Sequence, residues 1–405
     1  MSSRNWRTPA IALLCGGIIL TLSMGTRQGF GLFLKPMTLD HGWSRETFAF
    51  ALALQNLLWG ASQPFVGMIA DRMGAGRVLV VGALLYAGGL VLMAMSDTGL
   101  QFSLATGVVL GLAQGCTTFS IVFGVIGRAF PPEKRSMALG LSSAAGSFGQ
   151  FAMVPYSQTL ITHLGWFNAL LTLAGTILLI APLASALVER RGGSAGGAPA
   201  QGIVDAVREA FTHKSFLLLT AGYFVCGFQL AFITVHFPAY LVDRGLTANV
   251  GMVALATVGL FNIIGSYTAG ALGAKYTKKF LLSSIYLSRS LVIALFILLP
   301  LSETSVYLFS AAIGVLWLST VPLTNGVVAG IFGVAYLSML SGIVFFSHQI
   351  GSFTGVWLGG YLFDHTGSYQ VVWMISIALG VFAGLVNLPI EERAIIRAPA
   401  PRAAA

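Results

Sequence analysis

Charged residues are scarce in this 405-residue chain: Lys, Arg, Asp and Glu together make up 9% of it. Soluble domains carry about 25% charged residues, whereas 56% of this chain is hydrophobic. The polar surface that a water-soluble globule needs is therefore missing, which excludes a soluble enzyme, a DNA-binding protein and a disordered chain. The composition instead predicts a polytopic helical membrane protein.

The sequence also lacks the motifs of several functional classes. Its three cysteines lie in apolar stretches without metal-ligand or disulfide-like spacing, and its six histidines are dispersed. It has no Gly-rich loop of the type that holds the phosphates of ATP, and no Ser-His-acid arrangement can be argued from spacing. We therefore expect no metal, no cofactor and no catalytic residue. The basic excess does not indicate a nucleic-acid partner, because basic residues also orient membrane proteins.

Twelve apolar runs are long enough to cross a bilayer, which takes about 20 residues. The first run continues past residue 30 without a clear cleavage site, which favours a span over a signal peptide. The predicted spans, numbered 1 to 12, are 9–34, 47–70, 78–96, 100–127, 137–161, 166–188, 216–241, 248–273, 280–300, 305–329, 336–362 and 369–389.

The distribution of basic residues predicts the orientation. With the N-terminus inside, the cytoplasmic segments hold 17 of the 22 Lys and Arg, while the outer loops hold only Lys35, Arg45 and Arg244. This asymmetry follows the positive-inside rule and places both termini in the cytoplasm, with the protein in the inner (plasma) membrane. The two remaining bases, Arg27 and Arg289, lie within spans.

A long loop divides the chain into two domains, predicted at residues 1–190 and 215–405. Within the linker, 191–214, the segment GGSAGGAPAQG is typical of a flexible tether. The following IVDAVREAFTHKSF has apolar residues at helical spacing. This predicts an amphipathic helix that lies either on the membrane surface or in solvent.

The two halves match at a nearly constant offset. GTRQGFGLFLKP (25–36) aligns with GFQLAFITVHFP (227–238), GMIADRMGAGR (67–77) with GALGAKYTKK (270–279), and GSFGQ (146–150) with GSFTG (351–355). Such matches in register indicate a duplication, and six spans per copy give both copies the same orientation. Parallel six-helix repeats place a substrate site between the halves at mid-membrane depth.

The loop between spans 2 and 3 resembles the signature loop of the major facilitator superfamily, Gly-x-x-x-Asp-Arg-x-Gly-x-x-Arg, at Gly67, Asp71, Arg72, Gly74 and Arg77. In that family the Asp interacts with a neighbouring helix end and the basic residues help to lock a cytoplasmic gate. The resemblance implies this role here, together with the family's all-α fold of twelve transmembrane helices in two six-helix bundles. In the second copy, Ala and Lys replace the Asp and the first Arg, which predicts a weaker gate.

A second resemblance concerns FPPEKRSMALGLSSAAGSFG (130–149), which is similar to a stretch of monocarboxylate transporters, aromatic-basic-Ala-x-Gly-x-x-x-Ala-Gly. GWSR (42–45) resembles bacterial members of that family and their oxalate/formate relatives. The resemblance implies transport of a small organic anion. The chain departs from the animal members in span 8, where Asn262 and Ser266 stand in place of an Asp and an Arg. Their coupling residues therefore do not carry over.

All 13 carboxylates lie in loops or at span ends, so the buried charges are Arg27 and Arg289. A mid-membrane Arg costs about 2.5–3.5 kcal/mol on insertion scales and is typically functional, and its planar fork suits a carboxylate. The pattern favours an organic anion over a cation as substrate. Two alternatives stay open: Arg27 snorkels towards the outer surface, or Arg289 braces the C-terminal bundle through carbonyls or Asn262.

Neutral polar side chains at mid-depth complete the candidate site, although each has a simpler role in a hydrogen bond between helices, worth about 0.6 kcal/mol. For proton coupling the candidates are His348 and His236, because histidine titrates near neutral pH; a purely structural histidine is the alternative for both. The predicted substrate-binding residues are Arg27, Arg289, Asn262, Gln229, Gln114, Thr118 and Asn325.

The sequence thus predicts a secondary transporter, functional as a monomer in the lipid bilayer. It moves a lactate- or pyruvate-like monocarboxylate by proton symport and alternating access. Two alternatives remain open. Anion exchange of the oxalate/formate kind would give counterflow without a proton gradient, and a non-transporting membrane sensor would bind its ligand without translocating it.

Overall fold

The structure, a computed structural model, describes residues 8–187, 202–333 and 337–395, except for the side chains of 71, 72, 127, 132–137 and 338. Over these ranges the regular secondary structure is helical, without a strand. The predicted tether lies for the most part outside the described residues. The helix Ile203–Thr212 forms where the spacing predicts one.

The helices of the first half follow the predicted spans 1 to 6. Most are continuous, but span 4 contains a π-helical stretch and a break after Cys116. The bounds are Pro9–Gln28, a 3₁₀ turn Phe30–Phe33 and Leu34–His41 for span 1, Arg45–Met73 for span 2, and Ala75–Ala94 for span 3. Span 4 comprises Gly99–Phe102, Ser103–Val109 (π), Leu110–Cys116 and Phe119–Ala129; spans 5 and 6 comprise Pro132–Leu178, Ile180–Ala184 and a 3₁₀ turn Ser185–Leu187.

The second half repeats this arrangement, including a break in span 10 at the place that corresponds to the break in span 4. The bounds are Lys214–Asp243 for span 7, Ala248–Gly273 for span 8, Lys278–Leu298 for span 9, Glu303–Leu316 and Thr320–Phe332 for span 10, Leu337–Thr366 for span 11, and Gln370–Asn387 for span 12.

Side-chain caps explain several helix starts. Ser44 accepts a hydrogen bond from the backbone N–H of Thr47, which satisfies a donor that the first helical turn leaves free. Spans 4 and 10 both open on a capping box, in which Thr98 or Ser302 exchanges hydrogen bonds with the residue three positions later. The same device at equivalent places is a further trace of the duplication.

Among the described residues, nine helical segments are long and apolar enough to cross a membrane. One of them, Ala138–Leu187, is 50 residues long and turns at Gly165, whose φ of 76° interrupts the helix. Spans 2 and 11 are helices of 29 and 30 residues that are not among the nine. Twelve membrane crossings therefore remain our prediction.

The two halves meet mainly where span 1 contacts span 7, span 2 contacts span 11, and span 5 contacts span 8. The larger hydrophobic clusters follow the same division. One draws mainly on buried residues between 19 and 187, and the other on residues between 210 and 390. A side chain located between span 1, span 2 and span 7 therefore lies where the halves touch.

Glycines allow the closest approaches between helices, and one of them gives a direct test. A Cβ atom on Gly149 would collide with the backbone of Thr21, whereas a Cβ on Gly140, in the same helix, meets nothing within 4 Å. We expect Gly149→Ala to destabilise the protein by about 1–3 kcal/mol through overpacking. Gly140→Ala should be neutral or slightly stabilising. Thermal unfolding in detergent checks this, and equal midpoints for the two variants would contradict it.

Candidate functional site

Arg27 lies at the contact between the two halves, in the last turn of helix Pro9–Gln28. It borders a cavity of about 10 Å³, roughly the space that one water molecule requires. The cavity belongs to both halves, because spans 1 and 2 form one wall and span 7 the other. Its lining residues are Arg27, Phe30, Leu52, Gln55, Asn56, Ala231, Thr234 and Val235.

The Arg27 guanidinium is directed at span 2. It donates a hydrogen bond to Asn56 Oδ1, and its Cζ lies 4.7 Å from the centroid of the Trp59 ring, a cation–π contact. No carboxylate among the described residues forms an ion pair with it. Within the part of the chain that the structure describes, neutral groups therefore hold this half-buried cation.

Span 2 carries two further hydrogen-bond donors, the side chains of Gln55 and Trp59, on one face of its helix. Gln55 and Trp59 are four residues apart, which places them one turn apart on a helix, and they are 1% and 8% exposed. Among the described residues, neither Gln55 Nε2 nor Trp59 Nε1 has a hydrogen-bond partner. Buried donors normally find an acceptor. The site around Arg27 thus combines a positive charge with N–H groups that an acceptor-rich anion would satisfy.

Arg289 has a different environment. It is 1% exposed and donates to Leu316 O through Nε and Nη2, to Trp317 O at 2.6 Å, and to Cys226 Sγ at 3.3 Å. These are the contacts of a residue that braces the C-terminal bundle. The two buried arginines therefore differ: Arg27 faces the interface between the halves, and Arg289 faces the interior of one half.

The other predicted substrate-binding residues are dispersed. Asn262 donates to Ser147 Oγ across the halves at 3.2 Å and accepts from Leu318 N at 3.1 Å. Of the remaining four, three are buried and one is exposed, and none lines the cavity at Arg27. Gln229 donates to Ser376 O, Thr118 accepts from Gln63 Nε2, Gln114 is 0% exposed, and Asn325 is exposed and bonds to its own helix.

The two histidines occupy distinct places. His236 is 0% exposed, with Nε2 2.8 Å from Val356 O and Nδ1 3.1 Å from the Tyr369 hydroxyl. Because a carbonyl oxygen only accepts, Nε2 carries a proton. His348 is half-buried and stacks on Phe345, whose ring centroid is in turn 5.4 Å from that of Trp59. Phe345 thus lies between His348 and Trp59 of the Arg27 site.

The signature loop lies at the opposite end of span 2 from Arg45. Gly74 has a φ of 93°, which suits glycine at the turn into span 3, a methyl group on Gly67 would meet nothing within 4 Å, and Arg77 is exposed. The side chains of Asp71 and Arg72 are outside the described residues. The gate role of the loop stays a prediction.

A charged cluster that the sequence did not predict joins the halves at the other end. Arg45, at the start of span 2, pairs with Asp243 at the end of span 7 through both terminal nitrogens and donates to the Tyr369 hydroxyl at 2.8 Å. Lys35 also binds Asp243, at 2.9 Å. We call Lys35, Arg45, Asp243, Asp364 and Tyr369 the Arg45 cluster.

Asp364 completes this cluster through backbone contacts, and it forms no ion pair with any side chain that the structure describes. Its carboxylate accepts hydrogen bonds from the backbone N–H groups of Arg45 and Glu46, at 3.1 and 2.6 Å. A carboxylate at a helix N-terminus is favoured by free donors and by the helix dipole. The Tyr369 hydroxyl lies between Arg45 and His236, because Arg45 Nη1 donates to it at 2.8 Å and His236 Nδ1 is 3.1 Å from it.

Comparisons with known proteins concern the family and the fold. The family model of the Major Facilitator Superfamily matches residues 16–328. An uncharacterised MFS-type transporter of Bacillus subtilis (strain 168), YcxA, is 25% identical over 374 residues, 89% of this chain and 88% of the relative. Human monocarboxylate transporter 11 is 24% identical, over 93% and 80% of the two chains. Rat monocarboxylate transporter 4 is 26% identical, over 93% and 82%.

A solved structure supports the same fold. The bacterial homologue of the human lysosomal transporter Spinster, in an inward-facing and occupied conformation, superposes with a TM-score of 0.75 at 15% identity, covering 93% of this chain and 96% of the other. At this identity the likeness concerns the fold alone. The matched family model spans most of the sequence, so the chain belongs to the Major Facilitator Superfamily, a family of membrane transporters rather than enzymes.

Proposed function

We propose that this transporter carries a small organic monocarboxylate, of the lactate or pyruvate kind, and binds it at Arg27. The observation that supports the proposal is the uncompensated guanidinium of Arg27 at the contact between the halves. A carboxylate there would receive a charge-assisted, bidentate interaction and would provide acceptors for Gln55 and Trp59. The monocarboxylate transporters among the relatives point to the same class of substrate.

The number of available cations favours a monocarboxylate over a dicarboxylate. Arg289 already donates to two carbonyls and a thiol, and Lys35 and Arg45 are paired with Asp243. Within the described part of the spans, Arg27 is thus the cation at the contact between the halves that has no carboxylate partner. A second carboxylate would lack a partner, which is costly in a buried site. Anion exchange of the oxalate/formate type is therefore the second candidate.

Alternating access would move the two halves about this site. In the predicted orientation, the Arg45 cluster faces the outside and the Gly67 loop faces the cytoplasm, as do both termini. The substrate reaches Arg27 from outside when the Arg45 cluster opens, and from the cytoplasm when the opposite end opens. The protein acts as a monomer in the inner membrane, because the two six-helix bundles of a single chain enclose a complete site.

His348 is the better candidate for the coupled proton. It is half-buried and connected to the Arg27 site through Phe345 and Trp59, whereas His236 is enclosed by Val356 and Tyr369. Histidine changes charge in the range where a proton gradient acts. The carboxylate of the substrate shares in the coupling, because it is neutral once protonated.

Purified protein in liposomes tests this function. We expect saturable uptake of radiolabelled L-lactate or pyruvate under an inward proton gradient, with weaker uptake of oxalate. Empty liposomes give the background. Counterflow of preloaded anion without any gradient would favour the exchanger. Ligand-dependent thermal stabilisation without uptake would favour the sensor, and failure with every short organic acid would refute the proposal.

A further inference from the structure

The break in span 10 lies deep inside the second half and is surrounded by specific contacts. Helix Glu303–Leu316 ends there, and helix Thr320–Phe332 begins after a break of three residues, 317–319. The last carbonyls of a helix have no partner within it, and water is not at hand in a membrane interior. The free carbonyls of Leu316 and Trp317 therefore need donors from elsewhere in the protein.

Arg289 supplies those donors. Its Nε and Nη2 reach Leu316 O, and Nη2 also reaches Trp317 O at 2.6 Å. A cation at the C-terminal end of a helix is favoured by the helix dipole. The remaining contact, from Nη1 to Cys226 Sγ, ties the guanidinium to span 7, and Cys226 in turn lies 3.3 Å from Thr320 Oγ1, on the far side of the break.

Asn262 connects this break to the other half. Its Oδ1 accepts from the backbone N–H of Leu318, inside the break, while its Nδ2 donates to Ser147 Oγ in span 5. Gly265, one turn further along span 8, allows the backbone of Val315 to approach so closely that a side chain would collide with it. The position of the break is thus fixed from span 7, span 8 and span 9 together.

Among the described residues, no such clamp holds the equivalent break in span 4. Helix Leu110–Cys116 ends there and helix Phe119–Ala129 follows, and the contacts come from neutral groups: Thr117 with Ser23 at 2.9 Å, and Thr118 with Gln63 at 2.9 Å. Tyr86, 203 positions before Arg289, donates instead to Ser23 O. Span 4 also contains a π-helical stretch, Ser103–Val109, and kinks in helices are frequently found at such stretches.

We infer that Arg289 is a positioning residue that acts as a tethered cation at the break of span 10. It holds the second helix of span 10, Thr320–Phe332, in a fixed position. Span 4, whose equivalent break has no such cation among the described residues, is then the span that bends. Unwound carbonyls at helix breaks bind coupling cations in other transporters. Here a guanidinium of the chain itself occupies that place. The inference goes beyond the proposed function and does not depend on which substrate is transported.

Chemical rescue tests the inference on the purified, full-length protein. Arg289→Ala should lower the thermal midpoint, and millimolar guanidinium chloride should restore part of the loss by filling the space against Leu316 and Trp317. The wild-type protein and Arg244→Ala, which removes an exposed arginine, should not be stabilised by guanidinium. No rescue in Arg289→Ala, or equal stabilisation of all three proteins, would overturn the inference.

Hydrogen exchange measured by mass spectrometry gives a local readout. In Arg289→Ala, peptides that contain Leu318 should exchange at least about tenfold faster, as expected for the loss of a hydrogen bond to a charged group, and guanidinium should slow them again. In the wild type, peptides across Thr117 and Thr118 should exchange faster than those across Leu318. If Arg289→Ala does not fold, Arg289→Lys takes its place, because lysine keeps the charge without the fork. Acceleration spread evenly over all spans would contradict the inference.

Discussion

Replacing Arg27 by Gln should reduce the kcat/KM for uptake of a monocarboxylate by about a hundredfold. Removing one partner of a buried, hydrogen-bonded charge pair costs about 2–5 kcal/mol, and no other described cation faces the cavity at Arg27. Gln keeps a neutral N–H donor on a shorter side chain, so the loss measures the charge, the fork and the reach of the guanidinium together. Initial rates of uptake into proteoliposomes, with protein amount matched by immunoblot, provide the measurement.

Arg27→Lys and Arg289→Gln are the matched controls for this prediction. Lysine retains the charge but not the bidentate geometry, so its affinity should be intermediate. Arg289→Gln should lower thermal stability and leave the affinity for substrate much closer to the wild type, because Arg289 contacts carbonyls in the bundle interior. Equal affinity in Arg27→Gln and Arg289→Gln would refute a carboxylate site at Arg27.

Breaking the Arg45 cluster should shift the protein towards the state that is open at that end. In Asp243→Asn, both Arg45 and Lys35 lose their counter-charge. We expect the state that is closed at the Arg45 end to lose about 1–2 kcal/mol of stability, which changes the ratio of open to closed protein five- to thirtyfold. A cysteine introduced at Thr234, which lines the cavity, should react faster by that factor with a membrane-impermeant maleimide added from the Arg45 end.

A charge exchange and a neighbouring arginine serve as controls. Arg45→Asp combined with Asp243→Arg should recover slow labelling, since the pair is restored in reverse. Arg244→Gln removes an exposed arginine next to Asp243 and should leave the rate unchanged. If Asp243→Asn labels like the wild type, the cluster does not hold that end closed.

The sequence predicted the helices well because apolar runs of membrane length have few alternatives in a bilayer. It did not predict the breaks in span 4 and span 10, since hydropathy is the same on both sides of Thr117 and of Leu318. The paired polar residues there, such as Thr117 and Thr118, were the available signal, and the repeat would have placed the second break once the first was known.

The site was predictable in part. The scarcity of buried charge singled out Arg27 and Arg289 as residues of interest, but their separate environments depend on neighbours far away in the sequence. Leu316 is 27 positions from Arg289, and Val235, across the cavity, belongs to the other half. For the same reason the sequence did not predict the Arg45 cluster. Each of its charged residues was assigned to a loop or a span end, and Asp243 is 198 positions from Arg45.

The cap that Asp364 places on the helix of the other half has an evolutionary consequence. Its partners are the backbone N–H groups of Arg45 and Glu46, which any residue except proline would provide. Substitutions at those two positions need no compensating change at Asp364. Correlated substitution among homologues can therefore reveal the contact between Arg45 and Asp243. The contact made by Asp364 also joins the halves, but it produces no correlated substitution.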